Sequence, residues 1–146
     1  MNKEEARKLA WDHAWKAFQL HAGQRITLFN IYILGFIAGC AGYFSALQSG
    51  RPLTSALISA LGILFSIVFK MLDARNSHLI KIAEDSIKEQ EYRLAEVLGD
   101  VELRLFWKAE EKPKAMWSFR QAFNLLFCTA GVACIAAFGL ALAARP

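Results

Sequence analysis

Three stretches of this 146-residue chain contain no Asp, Glu, Lys, Arg or His: Ile26 to Leu47, Leu53 to Phe69 and Ala122 to Ala144. Uncharged runs of that length exclude an ordinary soluble enzyme. They also disfavour proton- or ion-coupled transport, which needs ionisable groups inside the bilayer. Recognisable catalytic chemistry is missing as well. No HExxH, GxSxG or P-loop pattern occurs, no carboxylate pair or nucleophile–base set stands out, and His13, His21 and His78 are scattered. Cysteine is scarce, and Cys40, Cys128 and Cys134 all fall within the uncharged runs. There a disulfide or a metal centre is a poor use for them, and they read as small packing residues. The sequence therefore predicts no enzyme, no metal site and no cofactor.

What the chain has instead is apolar surface, at 55% hydrophobic residues. At a rise of about 1.5 Å per residue, Ile26 to Leu47 reaches roughly 33 Å and Ala122 to Ala144 roughly 34 Å, against a hydrocarbon core of about 30 Å. Leu53 to Phe69 reaches only about 25 Å. Lys70 can extend its ammonium to the headgroups and Pro52 suits a first helical turn, so this run is read as spanning too. The alternative for it is a re-entrant helix beside two spans. Arg and Lys concentrate before the first span and in the segment from Lys70 to Arg120, with only Arg51 and Arg145 elsewhere. That asymmetry puts the N-terminus and the long segment in the cytoplasm and the C-terminus outside. The first span follows a charged, aromatic segment and is longer than a signal-peptide core, so it reads as a retained anchor.

The net charge of +4 does not mark a nucleic-acid-binding domain, because Lys70 to Arg120 carries ten basic and ten acidic residues. A local basic patch would survive that neutrality if Lys81 and Lys88 shared a face of one helix with Arg75. From Glu4 to Gln24 a helix is expected with Trp11, Trp15, Phe18 and Ala22 on one stripe, laid on the membrane surface or packed on other cytoplasmic helices. After the second span no Gly or Pro occurs until Gly99. A helix is thus expected to run from Leu53 to Leu98, with Ile80, Ala83, Ile87, Gln90, Leu94 and Val97 as a heptad-like seam. Asp100 to Ala109 is a candidate partner for that seam.

Ser55, Ser59, Gly62, Ser66, Lys70 and Asp73 recur every three or four residues and share one face of the second span. Two uses fit such a face. Small and hydroxyl residues let helices pack closely, and hydroxyls facing water line a pore with Lys70 and Asp73 at its cytoplasmic mouth. Gly35, Gly39 and Gly42 on the first span, and Ala130, Ala133, Ala137 and Ala141 on the third, add further small faces. Oligomerisation is the expected consequence, since three helices cannot enclose a channel. The first and third spans also echo each other, with Phe29-Asn30 matching Phe123-Asn124, Cys40 matching Cys134 and Phe44 matching Phe138.

Two motifs occur together: His21-Ala22-Gly23-Gln24-Arg25 followed by Phe29-Asn30 where the first span begins, and Leu72-Asp73-Ala74-Arg75-Asn76 where the second ends. The combination resembles small membrane effectors of bacterial anti-phage operons that lie beside nucleotidyltransferases, notably the Hailong type. The resemblance implies a homotetrameric inner-membrane channel, held shut by a nucleotide or oligonucleotide signal made by the partner nucleotidyltransferase and leaking ions when that signal is lost. It carries Gln24, Arg25, Asn30, Asp73, Arg75 and Asn76 over as a cytoplasmic-edge cluster linking gate to sensor, and Lys70 joins them from the stripe. A satisfied Arg–Asp–Asn network that only ties two helices together is the plainer use of these residues.

The sequence thus predicts an all-α integral membrane protein, homo-oligomeric and in contact with lipid. Its expected parts are a cytoplasmic amphipathic helix over 1–25, spans over 26–47, 53–72 and 122–144, an external turn at 48–52, a cytoplasmic helical region over 73–121 and an external tail at 145–146. The leading function is a gated channel with Ser55, Ser59, Gly62 and Ser66 as lining. The alternative is a non-conducting scaffold, or an anchored binding module, that recruits a cytoplasmic partner.

Overall fold

The computed structural model describes residues 3–100, 102, 104–111 and 119–143. Among them the chain is entirely helical apart from turns: α1 is Lys3–Gln48, α2 Pro52–Leu98, α3 Leu105–Glu111 and α4 Phe119–Ala143. The expected amphipathic segment and first span form one unbroken α1. Nothing between Gln24 and Ile26 can stop a helix, because Arg25 is a good helix former and neither Gly nor Pro follows it closely. Most of Asp100 to Ala109 surrounds the start of α3, and the external tail at 145–146 lies outside the described residues.

Two glycines end the long helices. Gly50 and Gly99 both adopt positive φ, at 67° and 66°. Behind Gly50, the Arg51 amide donates to the Ala46 carbonyl and the Gly50 amide to the Leu47 carbonyl. Behind Gly99, the Asp100 amide reaches the Ala95 carbonyl. These bonds satisfy carbonyls that a helix end leaves orphaned, and only glycine takes the left-handed position without strain. Pro52 then opens α2, where its missing N–H costs nothing.

The chain divides into two compact units, Met1–Arg25 with Arg75–Ser118, and Ile26–Ala74 with Phe119–Pro146. In the second unit α1 and α2 run antiparallel, since Tyr32 meets Ser66 while Tyr43 meets Ser55. α4 runs antiparallel to α2 and parallel to α1, because Lys70 reaches Cys128 and Tyr43 donates to the carbonyl of Ala137. Its core is aromatic. Tyr32, Phe127 and Ala130 are buried, with Phe36, Phe65, Phe69 and Phe123 packed around them. Small residues let the helices close: a Cβ on Gly62 would stand 2.7 Å from the Cys134 sulfur, and one on Gly35 would stand 2.7 Å from the Phe65 ring. Three of the described helices, α1, α2 and α4, are long and apolar enough to cross a membrane.

In the first unit the α2 seam differs from the expected one. Ala83, Ile87, Glu91 and Ala95 are buried, at four-residue steps, whereas Leu94 and Val97 are exposed. A seam stepping by four follows one face of a helix over a short distance, and it selects Glu91 in place of Gln90 and Leu94.

Candidate functional site

The serine face of α2 is occupied within its own chain. Ser55, Ser59 and Ser66 are all buried. The Ser55 hydroxyl lies 3.3 Å from the Tyr43 carbonyl and 3.4 Å from that of Arg51; Ser59 donates to the Ser55 carbonyl at 3.0 Å and Ser66 to the Gly62 carbonyl at 2.9 Å. Ser66 also shares a 3.0 Å hydrogen bond with the Tyr32 hydroxyl. A buried hydroxyl without a partner would cost about 1–3 kcal/mol, and these contacts remove that cost. Gly62 completes the face by admitting Cys134. The four residues therefore act together, and in this arrangement they hold α2 against α1 and α4.

The residues that the resemblance carries over, with Lys70, divide between the units. Asn30, Lys70 and Asp73 belong to the second, and Gln24, Arg25, Arg75 and Asn76 to the first. Lys70 donates to the Cys128 sulfur at 3.4 Å. The Gln24 Oε1 accepts from His21 Nδ1 at 3.1 Å. Asp73 and Asn76 are buried, whereas Asn30 and Arg75 are exposed. Neither Arg25 nor Asp73 is free of partners.

A second candidate lies wholly in the first unit. Lys81, Asp85, Lys88, Glu89 and Tyr92 of α2 and Trp107 of α3 line an open cavity of 520 Å³. α3 is held in place from two directions. The Phe106 amide donates to the buried Glu91 carboxylate at 3.0 Å, and the Phe106 ring meets Phe18 of α1 edge-on at 5.7 Å. Trp15 stacks on Phe18, so the α1 aromatic stripe engages α3 through Phe18. The Arg104 guanidinium sits 4.4 Å from the centre of the Tyr92 ring, a cation–π contact. Glu102 and Lys108 form an ion pair. The sequence offers Lys81, Lys88 and Arg75 as a local basic face; the two lysines line this cavity and Arg75 does not, and the sequence reading misses Tyr92 and Arg104. Their signal was the recurrence of aromatic and basic residues on both sides of Gly99.

A second cavity, of 410 Å³, lies among the three long apolar helices and is lined almost entirely by apolar groups, including Gly39, Cys40, Gly62 and Cys134. Among the described residues no group of His, Cys, Asp or Glu is arranged to hold a metal.

Three apolar helices packed through serines, glycines and aromatic rings, joined to a polar helical unit, define a small helical protein with three helices long and apolar enough to cross a membrane. The chain is 33% identical over 141 residues to CD-NTase-associated protein 19 of Escherichia coli, covering 90% of this chain and 88% of the relative. It belongs to that family. No protein-family profile matches the chain, and no solved structure matches it.

Proposed function

We propose that this protein is the membrane-embedded effector of a CBASS anti-phage operon, a homo-oligomeric channel whose ion leakage is controlled by a nucleotide signal from the partner nucleotidyltransferase. One observation carries the reading: a chain with three span-capable helices shares nearly its whole length with a relative named for its association with a CD-NTase. The work is gating and not catalysis. Basic flanks orient α1 inward at its N-terminus in the bacterial inner membrane, leaving the C-terminus external. The conducting path belongs to an assembly, because the small faces of one chain are filled by its own helices and three helices enclose no pore. A tetramer is the expected count.

The serine hydroxyls give the gate a physical form. Closed, Ser55 and Ser66 bond across to Tyr43 and Tyr32 of α1 and Ser59 is buried beside them; open, α2 exchanges those contacts for water and presents Ser55, Ser59 and Ser66 to the path. α2 is one helix from Pro52 to Leu98, so it carries Lys70, Asp73, Arg75 and Asn76 between the serines and the polar unit. The consumption of every stripe serine in packing also favours a second reading, a non-conducting scaffold that recruits a cytoplasmic partner.

Ion flux from liposomes holding only the purified protein separates the two. Specific flux supports the channel. Tight vesicles, both alone and with the operon's nucleotidyltransferase products added and then withdrawn, leave the scaffold.

A further inference from the structure

We infer that the cavity between α2 and α3 is the nucleotide-binding site of this chain, taking one base and its phosphate from a short oligonucleotide. The inference deepens the reading above and rests on it for the choice of ligand class.

The composition of the cavity matches the three parts of a nucleotide. For the base there are two aromatic side chains on different helices, Tyr92 at 43% and Trp107 at 45% exposure, so each keeps a substantial surface available while anchored. Base stacking on such rings is sequence-tolerant and worth about 1–3 kcal/mol per base. For the phosphate there are Lys81 and Lys88 on the α2 wall. They are seven residues apart, two helical turns, and so share one face. For the sugar there is Asp85 between them, an acceptor suited to a ribose hydroxyl.

The charge balance supports an anion despite the two carboxylates. Glu89 is bound to Arg93 at 2.8 Å, which offsets one of them. Arg104 lies over Tyr92 and adds a further cation beside the cavity. The lining itself is balanced, Lys81 and Lys88 against Asp85 and Glu89; with Arg93 and Arg104 counted against Glu91 behind the wall, the neighbourhood keeps one positive charge although the segment from Lys70 to Arg120 is neutral overall. At 520 Å³ the cavity falls in the range of small-molecule sites, about 300–1,000 Å³. The Glu91 carboxylate holds the α3 wall through the Phe106 amide without entering the cavity lining, so the wall is positioned before any ligand arrives.

The test uses the full-length protein in detergent or nanodiscs and a radiolabelled panel of mono- to tetranucleotides, linear and cyclic, covering the four bases, with inorganic phosphate as control. Wild type should bind at least one member better than phosphate alone. Trp107→Ala should weaken that binding by about fivefold or more, on the stacking scale above, while Trp107→Phe retains most of it. Lys81→Gln and Lys88→Gln should weaken binding and flatten its salt dependence. Helical content and oligomeric size are checked for every variant, and the lysine and Trp107→Phe variants keep the test decisive if Trp107→Ala misfolds. Binding unchanged in Trp107→Ala and in both lysine variants, or no binding by wild type across the panel, overturns the assignment. Flux is measured on the same samples. Binding lost in the variants with flux indifferent to nucleotide retains the site and removes channel control, so the two failures are told apart.

Discussion

The rings of Phe29 and Phe123 stack at 4.5 Å with only 11° between their planes, and the two residues are 94 positions apart. The same offset separates Tyr43 from Ala137, whose carbonyl accepts the Tyr43 hydroxyl. It also separates Cys40 from Cys134, which line one cavity. The echo between the first and third apolar runs is therefore a register: two parallel helices lie side by side so that equivalent positions meet. Parallel neighbours with like side chains at like depth can stack identical rings, which antiparallel neighbours do only by coincidence.

This register makes the Phe29–Phe123 pair a measurable coupling. Aromatic pairs contribute about 0.5–1.5 kcal/mol beyond their buried area. A double-mutant cycle with Phe29→Leu and Phe123→Leu, read by unfolding in mixed micelles, should return a coupling in that range. A coupling near zero would mean that the two rings do not meet in the membrane.

The Gly62–Cys134 contact should be far less tolerant. A methyl on Gly62 would stand 2.7 Å from the sulfur, so Gly62→Ala drives the Cys134 thiol from its place or α2 and α4 apart. Overpacking of this kind costs about 1–3 kcal/mol. Cys134→Ala removes the sulfur and leaves the Cys134 Cβ at 3.7 Å, an ordinary contact. The double variant should recover most of the lost stability, measured in the same unfolding assay. Failure to recover would show that Gly62 is needed for some reason other than room for Cys134.

Glu91 offers a test in the first unit. It is 4% exposed, and its carboxylate satisfies the amide of Phe106 at the start of α3. Glu91→Ala removes the acceptor and should cost about 1–3 kcal/mol locally. Amide exchange should speed up across Leu105–Lys108 and little elsewhere, while Glu91→Gln, which keeps an acceptor, should lie close to wild type. Uniform exchange in all three proteins would break the link between Glu91 and α3.

How far these relationships could be read from sequence depended on what each residue type can do alone. The three uncharged runs were legible because no other environment rewards them, and the limits of α2 were legible from Pro52 and Gly99. Glu91 was not, since a carboxylate in a helix ordinarily faces water and only the Phe106 amide opposite it makes burial favourable. The serine face was half legible. Spacing put Ser55, Ser59 and Ser66 together, but a hydroxyl bonds equally well to water or to the carbonyl one turn back, and only the neighbouring Tyr43 and Tyr32 decide between them. The sequence marks a boundary at Arg25 without deciding whether the helix continues through it, because a change from charged to apolar composition marks a change of surroundings, not a break in the backbone.

The serine face also supplies the sharpest test of the proposed gate. Ser59 is 4% exposed, with its hydroxyl bonded to the Ser55 carbonyl. Ser59→Cys changes the volume little, so it should assemble as wild type does. A membrane-impermeant thiol reagent distinguishes the states in a background where Cys40, Cys128 and Cys134 are replaced by Ala. If opening turns α2 away from α1 and α4, residue 59 should be unreactive in the tight state and labelled at least tenfold faster when flux is observed. Leu64, 57% exposed, would be the control, because a lipid-facing cysteine stays inaccessible to a charged reagent in both states. Flux without labelling at residue 59 would assign the water path to another face of the assembly and leave the serines as the bonds that hold three helices together.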